Sequence, residues 1–166
     1  MELRPLQSKD HKHILPMIAD FYAFHRALVH SQADSQPDLE KAEAALTHWL
    51  QLGSVLVVAQ AQLVVGFVHV RFGGDDAAWV EDLYLVPAVR GRGLGRQVMM
   101  ELDQHFQARG VRAAFVAVIP RNKEAIRFYQ DCGFDHLNMV ELRKNYDQTL
   151  DKPDMVDVLG FSLRMF

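Results

Sequence analysis

A single cysteine, Cys132, stands among 166 residues, so no internal disulfide can form and the fold must rest on its core. No run approaches the ~18 consecutive apolar residues of a membrane span. The opening MELRPLQSKD carries acids and bases where a signal peptide needs an apolar stretch. Neither sign of charge dominates, since 18 Lys and Arg face 21 Asp and Glu, for a formal net charge of −3. That balance argues against nucleic acid, whose phosphates ask for a basic face. Repeats, low-complexity runs and linkers are also missing. The expectation is a cytoplasmic globular protein, off the membrane, with residues 1–166 forming one domain. At this length about 70% of the unfolded surface can be buried, enough for a core without staples.

Hydrophobic period and punctuation then set the elements. Residues 2–6 predict a short strand. Ser8 or Asp10 would cap a helix to about Leu28, with Ile14, Leu15, Ile18, Phe21 and Tyr22 at helical spacing. His30 to Pro37 reads as a loop. A second helix carries Leu39, Leu46, Trp49 and Leu50 and stops at Gly53. Val55–Ala61 and Val64–Phe72 predict a hairpin, and Gly73 to Asp76 a turn into a strand over Ala78–Val86. A long helix follows, with Leu94, Val98, Leu102 and Phe106 on its buried stripe and Gly110 at its end. Val111–Ile119 reads as a central strand, Asn122–Cys132 as a short helix, and His136–Lys144 and Met155–Met165 as two closing strands. The fold class is α/β. An antiparallel meander leads through a helical crossover, which makes the strands at 78–86 and 111–119 parallel neighbours.

Between the fourth strand and the long helix lies Val86-Pro-Ala-Val-Arg90-Gly91-Arg92-Gly93-Leu94-Gly95-Arg96. Backbone N–H groups at such a helix start, with the positive end of the helix dipole, attract anions. Gly91, Gly93 and Gly95 let a phosphate approach the backbone, and Arg90, Arg92 and Arg96 add charge. A P-loop would need Gly-Lys-Ser/Thr, where this chain has Gly95-Arg96-Gln97. A dinucleotide fingerprint would need G-x-G-x-x-G and an acid ending the next strand, and neither is present. A diphosphate cradle and a plain glycine-capped turn both remain.

Arg90-x-x-Gly93-x-Gly95 after a strand, followed by Asn122, Ala125, Tyr129, Gly133 and Phe134 in the order N-x-x-A-x-x-x-Y-x-x-x-G-F, resembles the GCN5-related N-acetyltransferase (GNAT) superfamily. The element order resembles it too, so the likeness spans essentially the whole chain. The resemblance implies a mixed β-sheet with antiparallel N-terminal strands, a central parallel pair and flanking helices. It implies acetyl-CoA as co-substrate, its pyrophosphate on the segment from Arg90 to Arg96, Leu94 included. The pantetheine arm would lie where the parallel strands splay, bonded by backbone groups that a bulge near the end of the first of them leaves free, those of Leu83, Leu85 and Val86, one of which also polarises the thioester carbonyl. Asn122 would contact the pantetheine or cap its helix. Tyr129 would touch the cofactor and protonate the departing thiolate.

Acetyl transfer needs a neutral amine, and alkyl amines have pKa values near ~10, so a carboxylate that takes the proton is useful. Trp79-Val80-Glu81-Asp82-Leu83-Tyr84 puts two acids mid-strand, where acids are otherwise unfavourable. A period of two points them to opposite faces, so one would serve the acceptor cleft. Glu81 is the first expectation for base or amine anchor, and Asp82 the second.

The eight histidines do not predict a metal site. His11 and His13 open a helix, His25 and His30 are poorly spaced, and no Cys/His cluster accompanies them. Cys132 reads as a buried inert thiol and Trp49 as core. Tyr22, His25 and the 30–37 loop are placed by the resemblance to line the acceptor site. Val80-Glu81-Asp82-Leu83 is similar to the strand of polyamine and diamine acetyltransferases, which implies a small polycationic amine as acceptor, and it is also similar to some aminoglycoside-modifying members. Leu142-Arg143-Lys144-Asn145-Tyr146 is similar to the branch acting on ribosomal-protein N-termini, yet Ala117 stands where that branch has a glutamate. The alternatives are a protein or peptide N-acetyltransferase and a non-catalytic acyl-CoA-binding regulatory module. Dimerisation is common in such small transferases, so a homodimer is a candidate partner state.

Overall fold

Val55 and Val57, then Phe67, then Tyr84 recur on one face of three successive strands, and two helices cover that face. The computed structural model describes residues 1–29, 36–74 and 76–166. Residues 30–35 of the expected loop and Asp75 of the expected turn lie outside them. The chain forms two compact units, Met1–Ala117 and Val118–Phe166.

The first unit holds β1 (Glu2–Pro5), α1 (His11–Val29), α2 (Leu39–Leu52), β2 (Ser54–Gln60), β3 (Leu63–Gly73), β4 (Ala77–Leu85), α3 (Leu94–Ala108) and β5 (Ala113–Val116). The five strands form one sheet in chain order. The first four are antiparallel, and β5 runs parallel to β4 from Ala77↔Ala113 to Val80↔Val116. This is the mixed α/β sheet that the element order predicts, with each boundary within a few residues.

α1 and α2 bury Ile14, Ile18, Phe21, Leu46 and Trp49 against Val55, Val57, Phe67 and Tyr84. Each such side chain contributes roughly 1.5–3 kcal/mol. Asp38 caps α2 by accepting the Lys41 N–H at 3.0 Å. Gly53 ends it, donating to the Trp49 carbonyl at 2.8 Å. A side chain at Gly53 would run into the Val70 carbonyl oxygen, so the chain can pass from helix to strand there only without a Cβ. The opposite sheet face carries Val68, Val70 and Val80, all fully buried, and α3 contributes Val98, Leu102 and Phe106. Phe72 meets Phe106 edge to face, ring centroids 5.9 Å apart.

The second unit holds α4 (Lys123–Asp131) and a hairpin of β6 (Met155–Val158) and β7 (Phe161–Arg164). It departs from the sequence expectation in two places. The segment expected as one strand over Met155–Met165 folds back at Leu159 and Gly160, whose φ values of 53° and 84° suit a primed hairpin turn. The segment 136–144 forms no strand. A strand needs a ladder partner and a face to bury, and Leu137, Met139 and Leu142 are exposed.

Candidate active site

The segment after β4 begins with a single 3-10 turn, Pro87–Val89, and reaches α3 through Gly91 and Gly93. Their φ values of 71° and 79° lie in the left-handed region, and a Cβ at either would meet open space. The glycines are therefore required by backbone conformation, and they leave the loop surface bare. Gly93 is the N-cap residue and supplies no side-chain cap. The N–H groups of Leu94 and Gly95 precede the first intrahelical bond, from Gln97 to the Gly93 carbonyl at 3.1 Å. They face out of the helix end, as an anion site requires. Arg92 and Arg96 are exposed there. Arg90 is committed to the fold: its Nε donates to the Leu85 carbonyl at 2.7 Å, and its guanidinium lies 5.1 Å from the Tyr84 ring centre.

The parallel ladder stops at Val80↔Val116, and β4 continues without β5 from Glu81 to Leu85. Backbone groups along the continuation alternate between two directions. The Val86 N–H donates to the Val65 carbonyl at 2.9 Å, toward β3. By alternation the groups of Leu83 and Leu85 face the open side, consistent with the Leu85 carbonyl receiving Arg90. Val86 differs from its expected role: its N–H is spent on Val65, and its carbonyl accepts from Val89 at 3.1 Å.

The two acids lie at an irregularity. His69 stands opposite Asp82 while Val70 stands opposite Val80, so Glu81 is an extra residue, a β-bulge. The bulge changes the parity of the strand. Val80 remains on the α3 face, whereas Asp82 and Tyr84 fall on the face covered by α1 and α2. Glu81 pairs with Arg71 at 2.6 Å and Asp82 with His69 at 2.8 Å. Arg71 and His69 are two apart on β3 and share a face, so both acids lean to one side. The expected opposition of the two carboxylates is thereby replaced. Glu81 is exposed and tied to Arg71, whose guanidinium lies 4.1 Å from the Trp79 ring centre. The Asp82 side chain is 15% exposed and sits deeper.

Asp82 has aromatic company. Burial raises the Tyr22 phenol above its ordinary pKa of 10.0, and the Asp82 charge adds to the shift. Burial lowers the His25 imidazole from 6.5, with Asp82 opposing. Trp49 lies between, its ring centre 6.1 Å from Tyr22 and 4.7 Å from His69. Such an arrangement suits a cationic group, with charge from the carboxylate and ring faces around it.

In the second unit Asn122 accepts the Ala125 N–H at 3.1 Å, so its capping role is realised. Tyr129 is buried, with Phe128 and Phe134 at 5.1 and 5.6 Å between ring centres. Cys132 is only partly buried and follows α4 as its C-cap. Among the described residues no three His, Cys, Asp or Glu are grouped to hold a metal ion, and no helix is long and apolar enough to cross a membrane.

Sequence reasoning missed His69, although its signal was visible: it interrupts the otherwise apolar run Val64–Val70, where a buried polar group needs a partner. Arg71, which fixes Glu81, was missed as well.

Comparison with known proteins finds residues 21–134 matching the acetyltransferase (GNAT) family. Thialysine N-epsilon-acetyltransferase of Mus musculus is 28% identical over 88 residues, 50% of this chain and 51% of that one. The [ribosomal protein bS18]-alanine N-acetyltransferase of Escherichia coli (strain K12) is 28% identical over 90 residues, 54% and 59% of the two chains. The chain thus spans about half the length of these curated relatives. The fold is similar to PaiA N-acetyltransferase from Thermoplasma acidophilum, solved in complex with coenzyme A, with a TM-score of 0.67, 17% identity and coverage of 78% of this chain and 86% of that one.

Proposed function

The chain belongs to the acetyltransferase (GNAT) family, and from that premise we propose that it transfers acetyl from acetyl-CoA to a primary amine by direct attack in a ternary complex, with a small polycationic amine as acceptor. The observation that carries the acceptor class is Asp82, a carboxylate on the bulged strand with Tyr22, His25 and Trp49 about it. Its neighbourhood offers a cation both charge and ring faces.

The residues present fit acetyl-CoA. Gly91 and Gly93 leave room for a diphosphate before the first turn of α3, and Arg92 and Arg96 add positive charge. When bound, the co-substrate supplies a thioester whose carbonyl carbon accepts the amine and whose sulfur leaves as a thiol. The outward backbone groups of Leu83 and the Leu85 N–H are the proposed partners of its pantetheine arm, the Leu85 carbonyl being held by Arg90. A backbone N–H there would stabilise charge developing on the carbonyl oxygen. Asp82 takes the amine proton, so the nitrogen lone pair is available for attack. Tyr129, carried by its motif, returns a proton to the sulfur. Glu81, held by Arg71, adds negative charge beside the acceptor.

The mouse relative's name specifies an ε-amine of thialysine, which supports a small cationic acceptor. A peptide α-amine is the second reading, supported by the bS18-alanine relative. CoA release from acetyl-CoA, followed across polyamines, thialysine and lysine, aminoglycosides and N-terminal peptides, tests both. Turnover confined to polyamines or other small polycationic amines is expected. Turnover confined to peptides selects the second reading, and acetyl-CoA binding without any turnover leaves a binding module.

A further inference from the structure

Resting on the reading of Asp82 as base, we infer that His69 is a positioning residue that holds Asp82 in place through one hydrogen bond and passes no proton itself. His69 is 5% exposed and lies in the middle of β3, across from Asp82. Its Nδ1 is 2.8 Å from Asp82 Oδ2, while its Nε2 is buried with no hydrogen-bond partner among the described residues.

This asymmetry selects a tautomer. A proton on Nδ1 donates to the carboxylate. Moving it to Nε2 would set two acceptors face to face and strand an N–H in the interior, which costs more than a bare lone pair. The same asymmetry excludes a relay. A proton taken up from Asp82 would have to leave through Nε2, and no group among the described residues receives it there. His69 therefore acts on the carboxylate only by fixing it. With Oδ2 engaged, Oδ1 is left to the amine.

Trp49 fixes His69 in turn. The two rings stack with planes 16° apart, so the imidazole cannot turn about its long axis without losing that contact. The chain of support runs from α2 through Trp49 to His69 and then to Asp82. The bulge at Glu81 is what turns Asp82 toward it.

The test compares H69F, H69N, H69Q, D82N and H69F/D82N, each with a thermal melt, using spermidine or whichever panel amine turns over. Phe keeps a flat ring for Trp49 but cannot hold the carboxylate. Asn offers an amide nitrogen near the place of Nδ1, and Gln offers one near Nε2. H69F is expected to lower kcat/KM for the amine ~30-fold while KM for acetyl-CoA stays within about twofold. H69N is expected to recover to within ~5-fold of the parent and H69Q is not. In the D82N background, H69F should cost nothing further, because its effect runs through Asp82. If H69F does not fold, H69N against H69Q decides the same question.

Parental activity in H69F, equal activity in H69N and H69Q, or multiplying losses in the double variant would overturn the inference while leaving the base assignment standing. Parental activity in D82N would remove the base assignment itself, and the role of His69 with it.

Discussion

Trp49 lies flat against His69, with ring centres 4.7 Å apart and planes 16° from parallel. The same indole tilts against Phe67 at 5.6 Å and Tyr22 at 6.1 Å. One side chain on α2 thus touches Phe67 in the core of the sheet, the hydrogen-bond partner of Asp82 on β3, and Tyr22 on α1. The proposed acceptor side of the site is continuous with the hydrophobic core. Packing there sets the geometry of the carboxylate.

The first prediction concerns the two acids. Asp82→Asn should lower kcat ~100-fold or more, the range of a lost general base, with little change in KM for acetyl-CoA. Glu81→Gln should lose less, ~3- to 10-fold, since its carboxylate is exposed and already paired with Arg71. Steady-state kinetics on both variants reads the difference. A larger loss in Glu81→Gln would reverse the assignment.

Much of this was legible in the sequence. The strands and helices announced themselves through period and punctuation, because the apolar faces of α1, α3 and β2 repeat regularly and those of β3 and β4 are broken at His69 and Asp82. The glycine turn was legible because positive φ leaves few alternatives to glycine. The bulge was foreseen only through the family resemblance, which implies one near the end of this strand. Its place at Glu81 leaves no compositional mark, and the extra residue inverts the parity on which the facing of Asp82 was judged. His69 showed as a break in an apolar run, but not what it pairs with, since its partner lies 13 residues away on another strand. The stretch 136–144 misled because alternation describes a strand without naming its neighbour. Leu137, Met139 and Leu142 are in fact exposed.

Tyr129→Phe tests the proposed acid. Only the hydroxyl is lost, and the ring contacts with Phe128 and Phe134 can persist. Turnover should fall ~10²- to 10⁴-fold, the range of a missing proton donor. The Kd for CoA by calorimetry should stay within about threefold, because the packing is retained. Unchanged turnover would leave the thiolate to be protonated by solvent or another group.

Gly93→Val tests the phosphate turn. At a φ of 79° a β-branched residue is strained, although a Cβ itself would meet open space. The expected cost is about 1–2 kcal/mol in stability, with acetyl-CoA affinity falling ~10-fold or more as the turn shifts. Melting curves with and without CoA separate the two effects. A variant as well stabilised by CoA as the parent would place the diphosphate elsewhere.

Acid should weaken the protein through Asp10. Arg4 grips this buried carboxylate with both terminal nitrogens, at 2.7 and 2.9 Å, and the Gln7 N–H adds a third bond at 2.9 Å. The hydrogen bond from Arg4 leads in holding the Asp10 pKa down, from 3.8 to about 2. A depressed carboxylate stabilises the fold above its unfolded pKa and loses that contribution as pH falls through its folded one. Between pH 4 and pH 2 the parent should therefore lose stability that Asp10→Asn never had. At pH 7 the variant should be less stable by about 2–3 kcal/mol, the scale of hydrogen bonds to a charged group. Denaturant titrations at both pH values check this, and parallel pH dependence in the two proteins would assign the acid sensitivity elsewhere.

Gly66 pins the register of β3 against β4. It faces Leu85, and a Cβ there would strike the Tyr84 carbonyl oxygen and come within 2.7 Å of Leu85 Cδ2. The obstacle is largely backbone, so side-chain rotation cannot relieve it, and β4 must move away. Gly66→Ala should cost about 1–3 kcal/mol, as overpacking in a buried position does. Its second effect follows from what lies beside it. Val86 bonds Val65 at 2.9 Å, and Arg90 bonds the Leu85 carbonyl at 2.7 Å, so displacement of β4 there carries the start of the glycine turn with it. KM for acetyl-CoA should rise, and Asp82, three residues upstream on the far side of Leu83, should be affected less. Chemical denaturation together with KM for both substrates reads the two effects. A destabilised variant whose cofactor KM is unchanged would mean that the turn holds its shape independently of the strand that leads into it.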